Sequence, residues 1–176
     1  VGCDLPAMLP IIETHLGRKV PPGWVDVLRA RMIQALSQEV EPMPGAADTL
    51  RAVAALGLPY RVASNSSHAE MAAKFARTGL APLVVGRAHS YEDVRRGKPA
   101  PDVFLAAAAA EGVPPAACIV VEDSMPGVRA ATAAGMAVLG LDPHGDGAAL
   151  RALGAYPIRA LSECPALFRA AMRVAA

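Results

Sequence analysis

Two adjacent carboxylates follow a short apolar run in the second half of the chain. Residues 118–121 (Cys-Ile-Val-Val) have the length and branching of a buried parallel strand, and Glu122 and Asp123 come directly after them. Ser124 is a candidate N-cap for a helix that ends near Gly135. Two neighbouring acids repel each other unless a cation lies between them, and Mg²⁺ takes oxygen ligands of this kind. The stretch therefore favours a magnesium site over a solvated turn with a helix cap.

A second polar run follows an earlier apolar stretch. Tyr60–Ala63 is a predicted strand, and Ser64, Asn65 and Ser66 come after it, before a helix that begins at His68. Backbone N–H groups at a helix N-terminus attract anions, and the Ser64 hydroxyl adds a donor. Taken alone, however, this run is more typical of an ordinary helix N-cap.

Lys98 forms the third polar position. It lies between Gly97 and Pro99, and Pro101 stiffens the backbone further along. A lysine held in this way gives a fixed positive charge that could bind phosphate or neutralise clustered carboxylates. A solvated loop lysine is an equally good interpretation of this stretch alone.

The three polar stretches are expected to meet, because the carboxyl ends of parallel strands lie along one edge of a sheet. Ser64 and Lys98 would then bind a phosphate dianion, with Glu122 and Asp123 on the Mg²⁺ side. The set lacks a nucleophile. No triad pattern accompanies the four histidines, which are His15, His68, His89 and His144.

The pattern of elements changes near residue 44. Residues 1–43 are predicted to hold two helices and no strand, and a Pro/Gly linker follows at Glu41–Gly45. We therefore divide the chain into a partial helical cap domain, residues 1–43, and an α/β core domain, residues 44–176.

Helices and strands alternate in the second part. Strands are predicted at residues 60–63, 83–85, 118–121 and 136–140, with an edge strand at 155–158. Helices are predicted at residues 46–56, 68–78, 102–111, 125–134, 148–153 and 164–174, and residues 90–97 are predicted to be loop. This alternation predicts an α/β protein with a doubly wound, mainly parallel sheet.

Composition excludes some functions. The 176 residues are 53% hydrophobic and 19% charged with a net charge of +1, so the chain is globular and lacks the charge for binding nucleic acid or an anionic membrane. No apolar run approaches membrane-spanning length. The three cysteines (Cys3, Cys118 and Cys164) cannot form a full set of disulfides, and Cys118 lies in a predicted buried strand. We therefore expect a reducing, cytoplasmic location.

Three motifs resemble those of the haloacid dehalogenase (HAD) superfamily. Val62–Ser66, Gly97–Asp102 and Val120–Gly135 match the second, third and fourth motifs of that family in order and spacing, within about residues 44–142. The resemblance is to the subgroup with a helical cap, which includes β-phosphoglucomutase-like proteins and sugar-phosphate phosphatases. Residues 1–43 resemble the latter part of that cap. A Rossmann-like HAD sheet is the fold that the resemblance implies.

The resemblance also implies roles for five residues. Ser64 binds the transferring phosphoryl group with help from the Asn65 backbone N–H, and Lys98 pairs with that group and with the nucleophile. Asp123 ligates Mg²⁺ directly, and Glu122 does so directly or through water. In the family an aspartate attacks a phosphate monoester in line, and water hydrolyses the aspartyl-phosphate with the aid of a second acid.

The Asp-x-Asp motif that carries the nucleophile in the family is absent from these residues. Asp4 is no substitute, because no apolar strand precedes it and position 6 is a proline. The family places the motif before the cap, at the tip of the central strand of the sheet. We therefore expect the intact protein to have some tens of residues before Val1. The alternative is a truncated, inactive product.

One cap position bears on the choice between phosphatase and mutase. The sugar phosphomutases of the subgroup have an arginine there that grips the second phosphate, and this chain has Leu5. The difference favours a phosphatase, although one of three cap arginines could compensate: Arg18, Arg29 or Arg31. Candidate specificity residues, each more typical of packing or surface roles, are His15, Trp24 and Arg31.

Sequence and resemblance together predict a Mg²⁺-dependent phosphoric monoester hydrolase for a small phosphorylated metabolite, with a sugar phosphate favoured. One alternative is a β-phosphoglucomutase-like phosphomutase. Another is a catalytically dead phosphate-binding or interaction protein. A dehalogenase is disfavoured because metal-free chemistry does not need the Glu122–Asp123 pair. The sequence leaves the particular substrate and the oligomeric state open.

Overall fold

The computed structural model describes residues 5–174, and Asp4, considered above, lies outside them. The described helices are α1 (Leu5–Leu16), α2 (Trp24–Glu39), α3 (Ala46–Ala55), α4 (His68–Arg77), α5 (Ala81–Val84), α6 (Asp102–Glu111), α7 (Met125–Ala133), α8 (Ala148–Arg151) and α9 (Cys164–Val174). The described strands are β1 (Val62–Ser64), β2 (Ala88–Ser90), β3 (Ile119–Glu122), β4 (Ala137–Leu141) and β5 (Tyr156–Ile158). At least one helix separates each strand from the next, as the sequence predicted.

All strand pairs between described residues are parallel. Strand β1 pairs with β2 in one sheet, and β3, β4 and β5 form a second sheet in that order. Ser64 pairs with Ser90, and Glu122 pairs with Gly140, so the carboxyl ends of neighbouring strands are in register. Within residues 5–174, β1 and β3 are not hydrogen-bonded to each other.

Helices cover both faces of the strands. On one face, α6 and α7 pack against a core that includes Val120 of β3, Val138 of β4 and, at its margin, Ala63 of β1. On the other face, α3 and α9 cover Leu139 and Leu141 of β4. The predicted doubly wound α/β architecture is therefore confirmed.

Of the two amino-terminal helices, α2 contacts α4 of the α/β part. Helix α2 packs against α4, and Arg77 of α4 donates from Nε to the Gln38 carbonyl oxygen at 3.0 Å and from Nη2 to Glu41 Oε1 at 3.0 Å. No residue of α2 is buried, and Ile11 of α1 is 69% exposed. None of the helices within residues 5–174 is both long and apolar enough to cross a membrane. The domain boundary near residue 44 stays a prediction.

The strand predicted at residues 83–85 is wrong. Leu83 and Val84 belong to the short helix α5, which has Pro82 in its first turn, and the strand of this region is β2. Gly86, with a φ of +69°, turns the chain between the two elements. Val85 is 78% exposed, so its β-branched side chain packs on neither element.

Strand β3 is less buried than its sequence indicated. Val120 is 8% exposed, but Ile119 and Val121 on the opposite face are 39% and 37% exposed. Helices α3 and α9, which cover Leu139 beside Val121, leave that part of β3 open. Cys118 directly precedes the strand, and its carbonyl oxygen accepts the Ala137 N–H at 3.2 Å, but it is half-buried, so its predicted burial was also wrong.

Candidate active site

Ser67 caps helix α4, and the polar residues before it do not. Ser67 Oγ accepts the Glu70 N–H at 3.2 Å, and Glu70 Oε2 accepts the Ser67 N–H at 2.8 Å. This reciprocal capping box satisfies donors of the first helical turn. Ser67, and not Ser64 or Ser66, is therefore the N-cap of α4, and the role of Ser64 in binding an anion stays a prediction.

Asn65 joins the tip of β1 to the loop that carries Lys98. The Asn65 side chain donates from Nδ2 to the Lys98 carbonyl oxygen at 2.9 Å, and its Oδ1 accepts the Lys98 N–H at 2.7 Å. The side-chain amide thus pairs with the backbone of Lys98 as another peptide group would. The Lys98–Pro99 peptide bond is cis. Sequence reasoning gave Asn65 only a backbone role and missed this side-chain role.

Lys98 crosses from this loop to the tip of β3. Its Nζ lies 2.6 Å from Glu122 Oε1, and the two side chains are 8% and 9% exposed. The same Nζ lies 4.5 Å from the centre of the Phe104 ring, within cation–π range. A solvated loop lysine is therefore excluded. The pair places the predicted cation and one of the predicted acids in direct contact.

Glu122 is held from several sides. Its Oε2 accepts the Asp123 N–H at 2.9 Å, and Ser124, which caps α7 through the Gly127 N–H, donates from Oγ to Oε1 at 3.4 Å. A Cβ atom on Gly127 would lie 1.6 Å from Glu122 Oε1. The glycine of the fourth motif is thus a packing requirement, because the carboxylate occupies the space that any side chain would need.

Asp123 is exposed beside this buried pair. Desolvation of its carboxyl group, and then the negative charge of Glu122, raise the pKa of Asp123, while Lys98 opposes the shift. Mg²⁺ is commonly held by one or two carboxylates, with water and substrate phosphate as further ligands. The carboxylates of Glu122 and Asp123 fit this requirement. Among residues 5–174, no group of three or more His, Cys, Asp or Glu side chains offers a fuller metal site.

Two residues near Ser66 were missed by sequence reasoning. Lys74 Nζ donates to Ser66 Oγ at 2.5 Å, and Ser90 Oγ donates to the Ser66 carbonyl oxygen at 2.8 Å. Lys74 lies one helical turn after Glu70 of the capping box, and this i, i+4 spacing is the signal that could have placed it on the face of α4 that looks back at Ser66. Ser90 is fully buried at the end of β2.

The candidate specificity residues lie on the amino-terminal helices. His15 is at the end of α1 and is exposed, and Arg31 is exposed on α2. Trp24 begins α2 and is half-buried. Their predicted role in specificity stays a prediction.

These features define an α/β protein with helices on both faces of parallel strands and a buried lysine–glutamate pair at the strand tips. A family model for haloacid dehalogenase-like hydrolases matches residues 9–135. The chain belongs to this family, as its three motifs predicted.

Curated relatives include phosphatases and a mutase. The chain is 37% identical over 128 residues to a probable pseudouridine-5'-phosphatase of Drosophila melanogaster, covering 69% of this chain and 55% of the relative. It is 42% identical over 93 residues to a β-phosphoglucomutase of Mycobacterium bovis, covering 51% and 35%. The chain spans about half or less of the length of curated relatives such as these.

A solved structure extends the similarity to nearly the whole fold. A HAD family hydrolase from Deinococcus radiodurans, with bound phosphate and sodium, is 34% identical and superposes with a TM-score of 0.73. The match covers 93% of this chain and 74% of that one. The Rossmann-like HAD fold is therefore confirmed.

Proposed function

We propose that the intact protein is a Mg²⁺-dependent phosphatase that hydrolyses a small phosphorylated metabolite, with a sugar phosphate favoured, and acts in the cytoplasm. The observation that carries this proposal is the buried Lys98–Glu122 pair. Asn65 connects Lys98 to the tip of β1, and Asp123 follows Glu122 in the chain. Hydrogen-bond donors for an anion therefore lie next to carboxylate ligands for a cation.

Each site residue has a distinct role in this proposal. The Ser64 hydroxyl and the Asn65 N–H donate to the phosphoryl oxygens, and Lys98 supplies positive charge beside them. Asp123, with Glu122 directly or through water, holds Mg²⁺. The bound cation supplies neutralisation of the charge on the phosphoryl oxygens. Glu122 also holds the Lys98 side chain in place through their ion pair.

The nucleophile of this proposal is an aspartate outside the 176 residues. Strands β1 and β3 contribute to one core through Ala63 and Val120 without pairing with each other. This arrangement supports a further strand between them, from a segment outside the 176 residues. A carboxylate at the tip of such a strand would lie between the Ser64 and Lys98 side and the Glu122–Asp123 side.

The first test is hydrolysis of p-nitrophenyl phosphate by the intact protein, with Mg²⁺ and with EDTA. We expect turnover that needs Mg²⁺ and falls at least about 100-fold in Asp123→Ala, because losing a ligand removes several kcal/mol of charge stabilisation. Asp48→Ala is the matched control, since Asp48 is an exposed carboxylate with its side chain 86% accessible on α3. Undiminished turnover in Asp123→Ala would contradict the metal role.

A phosphomutase is the second candidate, and the similarity to the M. bovis β-phosphoglucomutase favours it. Leu5, in the place of the second-phosphate arginine, speaks against it. Product analysis separates the two, because a phosphatase releases inorganic phosphate and a mutase returns an isomeric sugar phosphate. A protein that binds phosphate but converts no substrate would fit the catalytically dead alternative.

A further inference from the structure

Ser66 is held through three of its polar groups at the edge of the proposed phosphate site. Its N–H donates to Ser64 Oγ at 3.1 Å, and its carbonyl oxygen accepts from Ser90 Oγ at 2.8 Å. Its own Oγ is contacted by Lys74 Nζ at 2.5 Å. Of these three contacts, the contact with Lys74 involves a charged side chain.

The chemistry of these contacts determines whether the Ser64 and Ser66 hydroxyls donate or accept a hydrogen bond. An ammonium group has donors and no acceptor, so Ser66 Oγ accepts from Lys74 and its own hydrogen is left to donate elsewhere. Ser64 Oγ likewise accepts the Ser66 N–H, which leaves the Ser64 hydrogen to donate elsewhere. Each of the two neighbouring hydroxyls can therefore donate its hydrogen to an anion.

The charge of Lys74 reinforces this effect. Lys74 is half-buried, and it is one of three lysines in the chain, the others being Lys98 in the site and Lys19 on the surface. Burial lowers the pKa of Lys74, and the Glu70 carboxylate opposes that shift. Reduced access of water weakens the screening of its positive charge, so the charge acts more strongly on groups near Ser66.

We propose that Lys74 is a positioning residue of the phosphate site: it orients the Ser66 hydroxyl, and through Ser66 supports that of Ser64, as donors to the anionic oxygens of a bound phosphoryl group. This inference rests on the proposed function. It adds a second cation, from α4, to the one that Lys98 supplies.

The test measures binding of inorganic phosphate to the intact protein by isothermal titration calorimetry, with Mg²⁺ present. We expect Lys74→Met, which keeps the aliphatic stem, to weaken phosphate binding about tenfold, as for loss of a charge-assisted hydrogen bond. Lys74→Arg keeps the donor and the charge and should stay within about threefold of the unsubstituted protein. Lys19→Met is the matched control, because Lys19 is 88% exposed and pairs with Glu13 on the surface.

A second variant distinguishes a positioning role of Lys74 from a purely structural contact between α4 and the loop before it. Ser66→Ala should weaken phosphate binding by a similar factor, and adding Lys74→Met to it should cost little more, because both act through one hydroxyl. A purely structural contact would lower the melting temperature of Lys74→Met and leave its phosphate affinity unchanged, which would overturn the inference alone. If the unsubstituted protein binds no phosphate, the proposed function fails and this inference fails with it.

Discussion

At the scale of residues, the candidate site depends on a buried charge pair and on the space reserved for it. Glu122 is 9% exposed and meets Lys98, the Asp123 N–H and the Ser124 hydroxyl. A buried carboxylate without such partners would carry a large desolvation penalty, so each partner matters for folding as well as for chemistry. Gly127 matters because it has no side chain to displace the carboxylate.

Gly127→Ala is predicted to destabilise the protein, although helix propensity alone would predict that it stabilises. Gly→Ala inside a helix normally stabilises by about 1 kcal/mol. In Gly127→Ala the new Cβ would meet Glu122 Oε1 at 1.6 Å, so we expect a net loss of about 1–3 kcal/mol in urea denaturation. Ala133→Gly, at the exposed last residue of the same helix, serves as the control for helix propensity at that end. A stabilised Gly127→Ala would show that Glu122 can leave its place freely.

At the scale of elements, a side-chain amide couples the tip of β1 to the loop between β2 and α6. The two hydrogen bonds between Asn65 and the Lys98 backbone join segments 33 residues apart. The ladder between β1 and β2 ends at the Ser64–Ser90 pair, so these two bonds hold the Lys98 backbone beyond the end of that ladder. The position of the Lys98 backbone thus depends on one asparagine.

We expect Asn65→Ala to lower the unfolding free energy by about 1–3 kcal/mol, because two half-buried hydrogen bonds are lost. Turnover with p-nitrophenyl phosphate should fall as well, since Lys98 would no longer be held in register with Glu122. Asn65→Asp keeps the acceptor for the Lys98 N–H but not the donor, and should be intermediate in stability. Wild-type stability and turnover in Asn65→Ala would contradict this coupling.

Much of the element order could be predicted from the sequence, and the exceptions have physical causes. Helix α6 was predicted at its observed bounds, because prolines precede it and Gly112 follows it. The apolar run at residues 83–85 was misread, because Pro82 in the first turn of α5 favours a helical turn against the strand preference of the valines. Lys98 and Glu122 were predicted from local motifs. Lys74 was missed, although its i, i+4 spacing from Glu70 places it on the face of α4 that looks back at Ser66.

At the scale of the whole molecule, the strands form two separate groups that share one core. Strand β4 has a partner on each side, whereas β5 has one partner among the described residues. Strands β1 and β3 both adjoin the region where we propose a further strand. Their hydrogen-bonding edges in the intact protein would then be interior edges, and β2 and β5 would be the outer strands.

Hydrogen exchange of the intact protein tests this arrangement. We expect the amides of β1 and β3 to exchange as slowly as those of β4, because a further strand would pair with both of them. The amides of β2 and β5 should exchange faster and serve as the internal reference for outer strands. Exchange of β1 and β3 at the rates of β2 and β5 would contradict the proposed strand.

The contact of Lys98 with Phe104 and Glu122 has a consequence for the entropy of ligand binding. A free lysine side chain loses about 2 kcal/mol of rotamer freedom when it is held in one geometry. In this protein the ring and the carboxylate already immobilise Lys98 before any ligand arrives. The ordering cost therefore belongs to folding and not to association, so a phosphorylated ligand meets a preorganised cation.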